Sequence, residues 1–277
     1  SQPIDLNKWK IEKGTSLYVI NSSIVLKPDS LIVLCSKTNL PYFNSNIRTI
    51  ALSSFPTLTN DEGVIALKSA DNRTMHAIAY QSSLHENAIK ANGGWSLEMI
   101  DPQKPCEANN WTSSIHKNGG TPGMENSVYR KKTIANQMDI IQCVSLNDKT
   151  LLLQLNNGMD SNSLSNPINY MFNDTENILQ SKPIGPLFNK TEINLKSNLK
   201  SNTIYTLQLK NIASCKKEKT FEGLVRTGLL KDPLSNDVLI NEILFNPPTD
   251  GKDFVEMYNN TTAVINLNEL NISSVNA

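Results

Sequence analysis

The side chains in this sequence that could carry redox, metal or proton-transfer chemistry are His76, His85 and His116 together with Cys35, Cys106, Cys143 and Cys215. A neutral imidazole can shuttle a proton or bind zinc, and a thiolate can attack or coordinate. Each of these roles demands a spacing that the chain lacks. It contains no H-E-x-x-H or H-x-x-x-H, no C-x-x-C, and no G-x-S-x-G turn to present a serine nucleophile. Phosphate-cradling and dinucleotide-binding glycine patterns are absent as well. His76 precedes Ala77 in an extended stretch and reads as a strand histidine, while His85-Glu86 has no further ligand close in sequence. The expectation is a protein that is not an enzyme, with no catalytic residues, no metal site and no cofactor.

Cys35 closes the apolar run Leu31–Leu34 and reads as a small buried hydrophobe. Cys143 and Cys215 fall near the two ends of the middle segment, so an oxidising compartment would permit a disulfide between them. Three stretches, Asn60-Asp61-Glu62, Asp71-Asn72 and Asp250-Gly251-Lys252-Asp253, are rich in the oxygen ligands that calcium takes between β modules. Such residues are also what turns are made of, and no ligand set is assigned. Trp9, Trp95 and Trp111 could form a sugar or peptide platform, or pack inward; tryptophan in apolar strand patterns favours packing.

The stretch 93–126 does most to organise the chain. Trp95, Leu97 and Met99 alternate with Ser96, Glu98 and Ile100, which predicts a strand with one apolar row facing the core. Asp101-Pro102 ends it, because proline cannot donate to a ladder. Gly119, Gly120, Pro122 and Gly123 make a second break, where glycine admits positive φ and the chain can turn tightly. Trp9, Trp95, Trp111, Gly120, Pro122 and Gly123 are accordingly the expected structural positions.

Strand patterns recur through the rest of the first half. Residues 4–11 alternate and meet Gly14; 18–26 and 31–35 flank the turn Lys27-Pro28-Asp29-Ser30; 64–68 and 74–80 flank Asp71-Asn72-Arg73. Residues 41–56, with Pro41 and Pro56, predict an irregular crossing. The middle segment offers strands at 138–144, 150–155, 168–172, 191–195 and 203–209. No helical period persists, so the expected class is all-β, with immunoglobulin-like β-sandwiches in tandem.

Composition sets the outer bounds. The chain has 277 residues, 39% hydrophobic and 19% charged, enough to bury two cores. Lys plus Arg equals Asp plus Glu at 26 each, so no net field favours nucleic acid. Arg130-Lys131-Lys132 and the lysines at 216, 217 and 219 read as solvated linker or turn. No apolar run approaches the roughly 18 residues of a membrane helix, and no signal peptide opens the chain, which is read as a mature chain or excised fragment.

Several motifs carry a resemblance. I-D-L-N-K-W-K-I, K-P-D-S, T-N-D-E-G-V-I-A-L-K, the hairpin ending Ala79-Tyr80, G-W-S-L-E, N-W and G-G-T-P-G-x-x-N-S together resemble the bacterial lamin tail domain over residues 1–128. That resemblance implies an immunoglobulin-like sandwich in an exported or surface protein, as a non-catalytic interaction or spacer unit. The family's opening strands, of the form I-N-E-I and F-V-E-M-Y-N, are missing before residue 4 and stand instead at 240–243 and 254–259. Residues 265–272 then repeat 4–11 in phase. L-Q-L-N-N-G-M-D, Asn169-Tyr170 and Y-T-L-Q-L are similar to the immunoglobulin-like repeats of bacterial surface-layer and adhesion proteins, implying a rigid spacer over residues 135–232.

The organisation expected is thus a lamin-tail-like domain at 1–128, a spacer at 135–232, and at 238–277 the first strands of a second repeat, which could complete the first domain in cis or by exchange in a homodimer. Residues beyond about 264 would then be displaced, since Trp9 and Leu270 hold equivalent positions. The expected role is extracellular, cell-surface or periplasmic, with an unidentified protein or glycan partner. A carbohydrate-binding module, or an accessory domain of an exported hydrolase or nuclease, are the alternatives.

Overall fold

Where apolar and polar side chains alternate, this chain is extended, and it is all-β. The computed structural model describes residues 2–107, 109–129, 137–173, 177–249 and 251–273. It divides into two units. The first holds the described residues up to Met138 with Asn156–Gly158 and Ile184–Phe188; the second holds Asp139–Leu155, Met159–Pro183 and the described residues from Asn189 onward.

The first unit runs β1 (Ile4–Asp5), β2 (Lys10–Lys13), β3 (Ser16–Val19), β4 (Val25–Leu26), β5 (Val33–Ser36), β6 (Thr49–Leu52), β7 (Glu62–Lys68), β8 (Thr74–Gln81), a single helical turn α1 (Ala88–Ala91), β9 (Leu97–Met99) and β10 (Trp111–Ser113). Its largest sheet is antiparallel with order β3-β2-β7-β8. Gly14, at φ 60, and Asn72, at φ 66, supply the left-handed residues that its two tight connections need. Residues 41–56 are not wholly irregular: β6 lies within them and pairs in parallel with β5, Leu34 opposite Ile50. The two prolines that suggested a crossing fall outside the strand itself. Residues 18–26 form two strands rather than one, since β3 pairs with β2 and β4 pairs with β1. The core is small. Leu6, Ile20, Ile50 and Leu52 are buried, and Trp9, Ile11, Tyr18 and Phe55 pack against them.

The second unit runs β11 (Ile140–Ser145), β12 (Thr150–Leu155), α2 (Ser161–Ser165), β13 (Tyr170–Phe172), β14 (Ile178–Ile184), β15 (Lys190–Leu195), β16 (Ile204–Ala213), β17 (Thr220–Gly228), β18 (Leu230–Lys231), β19 (Val238–Leu244), β20 (Phe254–Asn259) and β21 (Val264–Ile265). One sheet has the order β11-β12-β15-β14 and the other β13-β16-β17. Lettered A to G in chain order, these are the A-B-E-D and C-F-G sheets of a constant-type immunoglobulin sandwich. Period two explains why they close. Leu151, Leu153 and Leu155 on β12, Ile193 and Leu195 on β15, and Leu207 and Leu209 on β16 are all buried. Each such side chain contributes about 1.5–3 kcal/mol on leaving water.

Tyr205, near the start of β16, accepts a 2.8 Å hydrogen bond from the Lys200 amide on its hydroxyl. This is the corner that immunoglobulin-type folds place at the start of strand F. Two residues on, where antibody domains carry a cysteine, stands the fully buried Leu207.

The disulfide expected between Cys143 and Cys215 is not formed. Cys143 and Cys35 are buried free thiols, whereas Cys106 and Cys215 are disulfide-bonded. The reason lies in the topology. Cys143 sits mid-strand in β11 opposite Leu153 and points into the core, while Cys215 lies in the turn between β16 and β17 at the end of the sandwich. Burial pushes the Cys143 thiol up to about 12.

After the sandwich, β18 pairs in parallel with β21, and β19 pairs antiparallel with β20 in a two-stranded sheet of its own. Residues 264–265 are therefore paired in a single chain, not displaced.

Candidate functional site

The most highly organised polar cluster lies where β9, β10 and the glycine-rich segment 119–128 meet. Trp111 pairs with Met99 and Ser113 with Leu97. The Ser96 amide donates to the Gly119 carbonyl at 2.7 Å, and the Ser114 amide donates to Ser96 at 2.8 Å. Gly119 has φ +80, and a Cβ there would stand 1.9 Å from the Gly94 carbonyl oxygen, so only glycine fits. Gly120 faces Ser96, Gly123 has φ +74, and Pro122 is exposed between them.

The alternation of β9 misassigned its most buried side chain. Trp95, Leu97 and Met99 are half-buried, while Glu98 is only 4% exposed. A carboxylate tolerates such burial because its lone pairs are filled. Thr121 Oγ1 donates to Oε1 at 2.7 Å, Ser127 Oγ donates to Oε2 at 2.8 Å, and the Val128 amide donates to Oε2 at 3.3 Å. Burial raises the Glu98 pKa, but hydrogen bonds from Thr121, Ser127 and Ser114 outweigh it, and the net direction is downward. Asn126 Nδ2 also donates to the Met99 carbonyl at 2.9 Å. The segment Thr121–Val128 is in this way laced to β9 by one side chain. The sequence signal was the density of Thr, Ser and Asn after the glycines, each a donor in search of an acceptor.

A second pairing was not read from sequence. His85 Nδ1 lies 2.9 Å from Ser113 Oγ, which also accepts the Glu86 amide at 3.1 Å. Histidine beside serine is the geometry of an activated nucleophile, yet Ser113 is 0% exposed. A hydroxyl that no substrate can reach is a tether, holding the 82–87 loop to β10.

Trp9 packs against the Leu6 cluster. Trp111 stacks on His76, with centroids 6.4 Å apart and planes at 26°, and His76 Nε2 contacts the Pro105 carbonyl at 3.2 Å. Trp95 is covered on one face by the Lys90 ammonium, 5.0 Å from the ring centroid, and Lys90 also pairs with Glu86 at 3.1 Å. The three tryptophans are not brought together on a common platform.

In the oxygen-rich loops, Asp71 is engaged by the Ser69 hydroxyl and by Arg73 at 2.7 Å. The Ser69 bond lowers its pKa, with Arg73 adding to the effect against some desolvation. Asp61 and Glu62 border an open polar cleft with Thr59, Gln81, Ser82 and Ser83. Asp250 and the cluster Arg130-Lys131-Lys132 lie outside the described residues. Among the described residues, no three His, Cys, Asp or Glu side chains converge on a point where a cation could sit.

No protein-family model matches the chain, and no curated protein sequence matches it. Among solved structures it is similar to the N-terminal part of the bacterial S-layer protein SbsC, at 11% identity and a TM-score of 0.30, over 39% of this chain and 26% of that one. It is likewise similar to domains 1-6 of the surface layer protein SbsC, at 9% identity and a TM-score of 0.30, over 39% of this chain and 16% of the other. The chain spans under a third of the length of these structures. Its fold assignment rests on strand order, not on these likenesses.

Proposed function

We propose that this chain is a non-catalytic interaction and spacer segment of an exported bacterial protein, exposed at the cell surface or in the periplasm, with a lamin-tail-like module ahead of an immunoglobulin-type spacer. The observation that carries the reading is where the buried polar groups go. Glu98 is consumed by Thr121, Ser127 and Val128, Ser113 by His85 and Glu86, and the Tyr170 hydroxyl donates to the Leu164 carbonyl at 2.7 Å. Side chains that would serve catalysis elsewhere here hold loops to strands. The disulfide-bonded state of Cys106 and Cys215 supports an oxidising compartment. The seven-strand sandwich supports a spacer, since its inward rows are apolar and its fold needs no ligand.

The test is protease treatment of intact cells that make the protein, followed by mass spectrometry of the released peptides. Peptides from both units in the surface fraction support the reading; their recovery only from lysed cytoplasm overturns it.

A carbohydrate-binding reading has one observation in its favour. Trp95 is half-buried beside the Lys90 ammonium, an amphipathic pairing that can hold a sugar ring. Titration with a glycan panel, read by tryptophan fluorescence in wild type and Trp95→Ala, separates the two: a saturable change abolished by the substitution favours sugar binding. An accessory role beside an exported hydrolase or nuclease would show instead as a catalytic domain elsewhere in the same polypeptide.

A further inference from the structure

The C-terminal hairpin has a face built for burial and left in water. Its register pairs Ile240 with Met257 and Ile243 with Val255, and the ladder shifts between Ile240 and Glu242. Without that irregularity, Ile240 and Ile243 would point to opposite sides of the sheet. With the extra residue at Asn241, Ile240, Ile243, Val255 and Met257 share one face. All four are exposed, Ile240 to 62%. The opposite face carries Glu242 directly across from Glu256, with Leu239 paired to Tyr258, as a solvated side does. A two-stranded hairpin of this kind is marginal alone.

The turn just after the hairpin points to the body on which the hairpin is made to lie. Asn266 Oδ1 accepts from the Asn268 amide at 3.2 Å, and the Leu270 amide donates to the Leu267 carbonyl at 3.1 Å. At the start of the chain, Asp5 Oδ1 accepts from the Asn7 amide at 2.9 Å, and the Trp9 amide donates to the Leu6 carbonyl at 3.0 Å. The sequence repeat is thus also a repeat of backbone geometry. At the first site the central leucine, Leu6, is 5% exposed on a core; at the second its counterpart, Leu267, is 49% exposed. The first unit supplies the kind of body on which this turn is buried, and that body is itself thinly filled. Among the described residues, Ile20 is the one apolar side chain of the first unit in the set of large side chains exposed by less than 2%. Beside Leu6, the β1–β4 pair leaves Ile4 and Val25 exposed at 44% and 46%.

We propose that the apolar face of β19–β20 docks on the first unit of a second copy of this chain, over the β1–β4 pair. The exposed row Ile240, Ile243, Val255 and Met257 covers Ile4 and Val25 of the other molecule. Exchanged reciprocally, the contact closes a dimer; passed on head to tail, it builds a chain of molecules. The inference stands apart from the surface reading, because it holds or fails in the purified protein whatever its place in the cell.

The experiment uses the whole 277-residue chain. Light scattering after size exclusion is run across a concentration series for wild type, Ile240→Lys and Met257→Lys. Both positions are exposed in the single chain, so neither substitution disturbs its fold, and unchanged melting curves verify this. Wild type is expected above the one-chain mass at high concentration, with each lysine weakening association by more than about tenfold, since an ammonium is costly to bury. Lysine cross-linking of a mixed light and heavy nitrogen sample then identifies the occupant. Lys252 in the hairpin loop of one copy should link to Lys8 or Lys27 of another. A one-chain mass at every concentration overturns the proposal, as does association that ignores both lysines, or inter-copy links that join hairpin only to hairpin.

Discussion

Replacing Glu98 by glutamine tests whether one buried carboxylate clasps the segment Thr121–Val128 to β9. The amide is nearly isosteric, so no cavity opens, and the effect isolates hydrogen bonding. Glutamine keeps one carbonyl oxygen, which can still accept from Thr121. Its NH2 group then faces the Val128 amide, a donor that cannot reverse, while the Ser127 hydroxyl can turn to accept. One charge-assisted bond is lost and one buried amide is left without an acceptor. At about 1.5–3 kcal/mol for a bond to a charged group and about 1–3 for an unsatisfied donor, the losses overlap and we expect about 3 kcal/mol. The protein reports on itself, because Trp9, Trp95 and Trp111 all lie in the first unit. Urea unfolding followed by tryptophan fluorescence therefore reads the unit that holds Glu98.

The pH dependence sharpens this test. The folded-state pKa of Glu98 lies below its ordinary value of 4.5. Its contribution is therefore complete above 4.5 and is lost as the pH falls through the depressed folded value. The gap between wild type and Glu98→Gln should be constant from neutral pH down to about 5 and should narrow below 4.5. A glutamine variant within about 0.5 kcal/mol of wild type at pH 7 would refute the clasp, as would a gap that widens in acid.

Gly119→Ala places a methyl group against the Gly94 carbonyl at a left-handed φ, and should destabilise the first unit by about 2–4 kcal/mol in the same fluorescence assay. Leu207→Ala empties a fully buried site on β16 and should cost the second unit about 2–5 kcal/mol, read by circular dichroism, while the tryptophan transition stays where it was. Thiol titration without reductant should find no reactive cysteine in the native chain, Cys35 and Cys143 once it is unfolded in denaturant, and all four after reduction.

The second sandwich was legible where inward rows are purely apolar, as at Leu151, Leu153 and Leu155. It was illegible at its margins. β14 contains Lys182 and Pro183, which argue against a strand, yet it lies at the edge of its sheet, where a missing amide donor is tolerated. β17, another edge, carries Gly223 and Arg226 among its apolar residues and was passed over for the same reason. In the first unit the β9 alternation was correct as a period and wrong as a direction, because hydropathy ranks glutamate as a surface residue and cannot see three donors arriving from residues 121–128. The tether between His85 and Ser113 spans 28 residues, and no local pattern announces a hydrogen bond between loops that only the fold brings together. The cysteines failed on topology: sequence position placed Cys143 and Cys215 near the two ends of one segment, but strand order decides which ends meet.

The turn at Asn266–Leu270 has the same bonds as the turn at Asp5–Trp9 although its leucine is in water. Burial is therefore not what bends the backbone there; the side chain of Asp5 or Asn266, reaching two residues ahead, is sufficient. In time rather than in energy, this means that the turn at residues 5–9 needs no distant partner before it can form. Closing so short a loop takes on the order of 10–100 ns, whereas bringing Ile50 and Leu52 to Leu6 must wait for a far longer segment to find its place. The first unit starts to fold with Leu6 already aimed, and its core assembles around a residue that was in position first.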